Sequence, residues 1–333
     1  MNKLVATFEI QLPSWLLVQC SEKDDISYNV KIANFEVKMQ LIHNGPKTKR
    51  KDEKYWTLAI SRVRISVSRH EHVKPPPVRI TNNIVRGYSV QADYFEERLP
   101  EYQKTAVTAL NRLILFFKYK LQAPLLNEFD VADECFMNPQ WTDEYGKEVG
   151  KGMQGDMVPA IIGFSSPKFG IKKMTVSDDE ALKRALQTPI VPELFEEILS
   201  DAQAAIVQNN LRRGILEMAI VCEIAVKHAF FAKYSTAGAA YEYFEDKGRI
   251  NISVLELIHG AAKEAFGESF KEFSEKAYKD IVFLFRCRNK IAHRGEITYG
   301  DDAGIVHTVD RGEIEKWWVS VEMFLDWLKK HKS

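Results

Sequence analysis

The stretch best equipped for chemistry reads Leu284-Phe-Arg-Cys-Arg-Asn-Lys-Ile-Ala-His-Arg-Gly295. It holds four cations (Arg286, Arg288, Lys290 and Arg294), the imidazole of His293 and the carboxamide of Asn289, with no acid among them. An imidazole with an unperturbed pKa of ~6.5 exchanges protons at neutral pH. A guanidinium stays charged there and offers planar paired donors to phosphate oxygens. Together they suit attack by a ribose 2′-hydroxyl on the adjacent phosphate. That reaction needs a base for the hydroxyl and compensation of the charge that builds on phosphorus. General acid–base help of this kind is worth ~10²–10⁴-fold in rate. It requires no metal, and the sequence shows no cluster of metal ligands.

On a regular helix Asn289 and His293 are four apart and share a face. Arg286 is seven from His293, nearly two turns, and lies on that face as well. Arg288 is five from His293, about 140° around the axis. It can meet the same phosphate only if its side chain wraps round the helix or the helix ends near Ala292. A polar motif on one face also suits pairing with its own copy across a two-fold axis.

The order Arg288, Asn289, three further residues, His293, late in a helical bundle, resembles the motif of the HEPN ribonuclease domain. The crowded earlier helix with internal acids, Leu211-Arg-Arg-Gly-Ile-Leu-Glu-Met-Ala-Ile-Val-Cys-Glu223, is similar too. The resemblance covers roughly residues 195–330. It implies a metal-independent endoribonuclease without cofactor, with Arg288, His293 and Asn289 as catalytic residues and Arg286, Lys290 and Arg294 as RNA contacts. It also implies a homodimer that pools these residues in one cleft, a role as a toxin or anti-phage defence effector, and a trigger or antitoxin protein as a further partner. The alternative within the same resemblance is an inactive HEPN-like module that dimerises and binds a nucleotide, an RNA or a protein. Blander accounts exist for each residue: Arg288 as a cation favourable to the helix macrodipole, His293 as a C-terminal cap, Asn289 as a pin to a neighbouring helix.

Five helices must position the motif. Leu194, Phe195, Ile198, Leu199, Ala202 and Ile206 trace the first, and Asn209-Asn210 breaks it. Leu211–Phe231 is apolar nearly all round and so central. Ile252–Phe266 forms a third. Phe270, Phe273, Ala277, Ile281, Leu284 and Phe285 trace a fourth that runs to about His293, with Gly295 as its stop. Asp310-Arg-Gly-Glu313 starts a fifth in the manner of a capping box, facing inward with Trp317, Val321, Phe324 and Leu328.

The N-terminal residues have a different period. Val5–Ile10 and Asn29–Met39 alternate in part, with a slip at Ala33-Asn34 that indicates a bulge or short break. Trp56–Val67 is the clearest strand, and Asn44–Asp52 looks like a hairpin connection. Pro75-Pro76-Pro77 ends the group or marks an edge. Residues 100–121 predict an amphipathic helix with Pro100 in its first turn. Residues 122–156 read as irregular, and Met157–Phe164 as one more strand. The fold class expected is therefore α+β in two domains: a β-rich domain, sandwich-like with one long helix, over 1–190, and an all-α HEPN-like bundle over 191–333.

At 333 residues, 45% apolar and 28% charged, the chain suits two soluble globular domains. Lys and Arg number 46, as do Asp and Glu, so affinity for nucleic acid must come from a local patch. From residue 191 onward there are 19 basic and 23 acidic residues, leaving 27 and 23 before it. Cys20, Cys135, Cys222 and Cys287 form no C-x-x-C pair, which argues against a zinc knuckle and for reduced thiols. No signal peptide or membrane span is evident, and a cytoplasmic location is expected. His70 and His72 share a strand face and could hold a metal, although a solvated strand end accounts for them. Lys47–Lys51 could grip phosphates or be a solvated hairpin tip. Glu223 could engage a motif arginine, or be satisfied by Arg212 or Lys227. Trp317-Trp318 reads as one core and one edge residue.

Overall fold

Every even residue from Leu4 to Cys20 of β1 (Asn2–Cys20) is buried, and no odd one is. This period of two is what a sheet covered on one face requires. The computed structural model describes residues 2–21, 26–43, Lys49, 54–77, 79–81, 84–86, 88–150, 169–231 and 253–331. The chain divides into two compact units, Met1–Val191 and Pro192–Ser333.

In the first unit, β2 (Ser27–Ile32) and β3 (Phe35–His43) form a hairpin, and β4 (Trp56–Glu71) pairs antiparallel with both β3 and β1. The break expected at Ala33-Asn34 is the two-residue loop of this hairpin, and Ala33 takes a positive φ of 52° to close it. A short ribbon follows, β5 (Arg79–Thr81) with β6 (Ile84–Arg86). β7 (Gln140–Asp143) and β8 (Glu148–Gly150) then complete a six-stranded sheet ordered β2-β3-β4-β1-β7-β8. These two strands fall where the sequence reads as irregular. They are too short to display a period, and Trp141 is the buried anchor that places them. The strand expected at Met157–Phe164 lies outside the described residues.

Register builds the core. Val37, Met39 and Leu41 face Val67, Ile65 and Val63, which face Ala6, Phe8 and Ile10 on the far side. The β1–β4 register shifts between Gln11 and Leu16, where Pro13 lacks a ladder donor in any case. Among the described residues the unit is one sheet under a helical layer rather than a sandwich. The layer is α1 (Tyr88–Leu115), extended by a π-helical turn, Phe116–Lys120, and joined by α2 (Asp179–Gln187).

The long helix begins twelve residues earlier than its apolar period indicates, so Pro100 lies inside it and not in its first turn. Proline there removes one backbone hydrogen bond. Pro100 is exposed, so water can serve the carbonyl left over. The early turns are held instead by Tyr94 and Phe95, whose rings meet edge to face, while Phe95 stacks on Trp141 at 4.9 Å.

The second unit is helical: α3 (Leu194–Val207), α4 (Leu211–Phe230), α5 (Val254–Glu256), a π-helical turn Leu257–Ala261, α6 (Ala262–Phe266), α7 (Phe270–Phe273), α8 (Glu275–Arg294) and α9 (Arg311–His331). A small ribbon, β9 (Thr298–Gly300) with β10 (Val306–Thr308), separates the last two helices and carries no periodic signal in the sequence. α4 contacts α3, α8 and α9. It is less enclosed than its composition suggests, since Ile220 is 38% exposed. The helix expected from Phe270 to His293 is broken at Ser274, whose hydroxyl accepts from the Ala277 N–H and starts α8 afresh. Trp317 and Trp318 are both buried, so the pair is core throughout and Trp318 is no edge residue.

Candidate active site

α8 carries the motif on the sides its core leaves free. Ala277, Ile281, Leu284, Cys287 and Ile291 point inward at helical spacing. Burial pushes the Cys287 thiol up to about 11, against the pull of Lys290. Ile291 anchors the last turn, and Gly295 ends the helix with a φ of 71° while its N–H donates to the Ile291 carbonyl. This is the stop the sequence indicates.

The helix therefore stays regular through His293, so Arg288 can join that face only by wrapping its side chain. Its Nη1 donates to Asn289 Oδ1 at 3.1 Å, drawing the guanidinium toward the face that Asn289 shares with His293. Arg288 is half-buried, and Asn289, His293 and Arg294 are exposed. Among the described residues, His293, Lys290 and Arg294 have no hydrogen-bond or ion-pair partner and no core acid engages Arg288.

Arg286 differs from the other cations. Its Nη1 donates to the Gly300 carbonyl at 2.9 Å and its Nη2 to Asp302 at 2.8 Å, so it joins α8 to the β9–β10 ribbon while its side chain stays 39% exposed. Arg212, at the start of α4, donates to the Gly295 carbonyl at 2.9 Å and caps the motif helix. Glu223 pairs with Lys227 at 3.2 Å and not with a motif arginine.

The ribbon brings residues that sequence reasoning missed. Tyr299 stacks between Phe283 at 4.9 Å and His307 at 5.1 Å. His307 Nε2 meets Asp301 Oδ2 at 2.9 Å, and the Tyr299 hydroxyl donates to Glu313 at 3.1 Å. Burial, aided by Glu313, pushes the Tyr299 phenol up to about 12. The available signal was the turn Asp301-Asp302-Ala-Gly304, whose Gly304 takes a φ of 79°.

Of the remaining candidates, His70 and His72 are exposed at the end of β4. No group of three or more metal-ligating side chains occurs among the described residues. Lys47–Lys51 lies outside them except for Lys49, whose ammonium sits 5.7 Å over the Trp56 ring. The first unit has a groove of about 400 Å³ bordered by Gln19, Tyr28, Met174, Asp179 and Lys183. Its polar groups largely satisfy one another: Tyr28 donates to Asp179 at 3.0 Å, and Lys183 pairs with the same carboxylate at 2.8 Å. No helix among the described residues is long and apolar enough to cross a membrane.

No protein-family model, curated protein or solved structure matches this chain.

Proposed function

We propose that this chain is a metal-independent endoribonuclease of the HEPN type. His293 takes the proton of the 2′-hydroxyl as it attacks phosphorus, the P–O5′ bond breaks to leave a 2′,3′-cyclic phosphate, and the proton passes to the leaving 5′-oxygen directly or through water; Arg288 compensates the charge on the phosphate, and Asn289 orients Arg288. Lys290 and Arg294 hold neighbouring phosphates. The observation that carries this reading is that, among the described residues, His293 stands exposed without a hydrogen-bond or ion-pair partner and no acid pairs with Arg288 on the same helix. A purely structural motif would be consumed by core contacts. Here the core of α8 is supplied by its apolar side alone.

One chain presents the motif on an open surface, so a second copy is assigned the opposite wall of the cleft, as a homodimer about a two-fold axis. The cellular role consistent with such an activity is that of a cytoplasmic toxin or anti-phage effector. The first unit would then sense a trigger or restrain the nuclease.

The test is incubation with total cellular RNA in excess EDTA, beside His293→Ala and Arg288→Ala, with products resolved on a gel and oligomeric state read by sedimentation. Wild-type fragments that vanish in both variants, with dimers throughout, are the expected result. Cleavage by His293→Ala equal to wild type would overturn the assignment. RNA left intact by every protein would transfer it to the inactive RNA-binding module.

A further inference from the structure

The outward face of the N-terminal sheet is basic although the whole chain is neutral. Across the four long strands β1 to β4 it carries Lys3, Lys31, Lys38, Arg62 and Arg64 against only Glu9 and Glu36. Each acid is already bridged, Glu36 by Lys3 and Glu9 by Arg64. Lys31 and Lys38 stand exposed with no ion pair among the described residues. The register places Lys38 opposite Ser66 on β4, whose hydroxyl contacts Thr7 at 3.0 Å, one pleat from the row of Gln40, Arg64 and Glu9. The cations are thus interleaved with neutral hydrogen-bonding side chains. Trp15, at the β1 bulge, is the single large apolar side chain of these strands that is strongly exposed, at 40%.

We propose that this face is a platform for single-stranded RNA, with phosphates over Lys31 and Lys38 and a base stacked on Trp15. The inference rests on the RNA-directed reading above and names where substrate is gripped outside the motif. Charge complementarity identifies the occupant: the unbridged Lys31 and Lys38, set among neutral polar side chains, answer a chain of phosphates. One exposed ring suffices for stacking, which tolerates any base. A protein partner or a lipid bilayer would call for a wider apolar patch than one tryptophan.

The experiment is fluorescence anisotropy with a labelled oligouridine of about 16 nucleotides, using the full-length His293→Ala chain so that cleavage cannot intervene. Lys31→Glu/Lys38→Glu should weaken binding about tenfold or more and flatten the plot of log affinity against log salt by about 1.4, as expected for two lost phosphate contacts. Trp15→Ala should weaken it about fivefold or more with the salt slope unchanged. The milder pair Lys31→Gln/Lys38→Gln should give the same slope change if the reversed-charge protein melts early. No RNA binding by the parent, or parental affinity and slope in the lysine variants, overturns the platform. So does loss of binding to phosphatidylserine vesicles with RNA binding intact. Failure of the nuclease reading is separate: wild-type protein that never cuts RNA yet shows these affinity changes would sink the active site and leave the platform standing.

Discussion

Arg286 donates to the carbonyl oxygen of Gly300 across 2.9 Å, tying the motif helix to the ribbon that follows it. The same guanidinium reaches Asp302 and lies 5.5 Å from the Phe283 ring, so one side chain fixes both the turn and the aromatic stack beside it. Arg286→Ala should lower stability by about 1 kcal/mol, the partial exposure of the site reducing what a charged hydrogen bond is worth. Amide exchange at Tyr299 and His307 should quicken. Arg286→Lys keeps the charge but loses the fork and should restore only part of the loss. Unchanged exchange in Arg286→Ala would mean that the ribbon holds itself.

Gly214 separates two opposing effects in α4. A Cβ built there would lie 2.5 Å from Ile206 Cγ1, a buried branched side chain of α3. Alanine favours a helix interior over glycine by about 1 kcal/mol, while overpacking costs about 1–3 kcal/mol. The clash is with the stiff root of the isoleucine, so packing should win. Gly214→Ala should therefore melt below the wild type, and a higher melting temperature would show that α3 moves aside freely.

Glu71 is the charged centre of the first unit at only 8% exposure. It accepts from Arg69 Nε at 2.7 Å and the Tyr102 hydroxyl at 3.1 Å, and Arg98 approaches its other oxygen at 3.5 Å. Burial first, and Glu71 second, push the Tyr102 phenol up. Glu71→Ala removes the buried carboxylate that Arg69 and Arg98 share and leaves them only the exposed carboxylates of Glu101 and Glu97. The expected loss is about 1–2 kcal/mol in denaturant unfolding, since the Tyr102 hydroxyl and Arg69 Nε lose a buried acceptor while both arginines keep an exposed one. A loss well below 1 kcal/mol would mean that water already serves these arginines.

What could be read from the sequence follows what each element buries. Val63, Ile65 and Val67 alternate because β4 faces a core on one side and solvent on the other, and that pattern is visible in one dimension. Ala277 to Ile291 likewise announces α8, and Gly295 its end. The hairpin at Ala33-Asn34 was obscured because its loop lacks glycine, so the two strands look like one with a slip. Pro100 hid the first three turns of α1, because an interior proline is written like a starting one. The strands β7 and β8 and the ribbon β9–β10 each bury one aromatic, Trp141 and Tyr299, and a lone aromatic has no period. The motif residues were readable by type and spacing. That Arg286 is engaged by Gly300 and Asp302, while Lys290 and Arg294 are not, depends on a fold of the chain that spacing does not encode.

Asp301 makes the ribbon sensitive to acid. One carboxylate oxygen meets His307 Nε2 at 2.9 Å, and the other accepts the N–H groups of Ala303 and Ile305 at 2.9 and 2.8 Å. These contacts, the His307 hydrogen bond foremost and the Ile305 N–H next, hold the carboxyl below its ordinary range. A folded pKa below the unfolded value of ~3.9 means that the stabilisation is complete above that pH and is lost as pH falls through the folded value. Asp301→Asn cannot titrate, so its melting temperature should lie below the wild type at neutral pH. The two curves should converge as the medium is acidified below about pH 4. Raised salt should narrow the neutral gap, because the side chain is only half-buried and open to screening. Curves that run parallel from neutral pH into acid would mean that the turn is held by its backbone and not by this carboxylate.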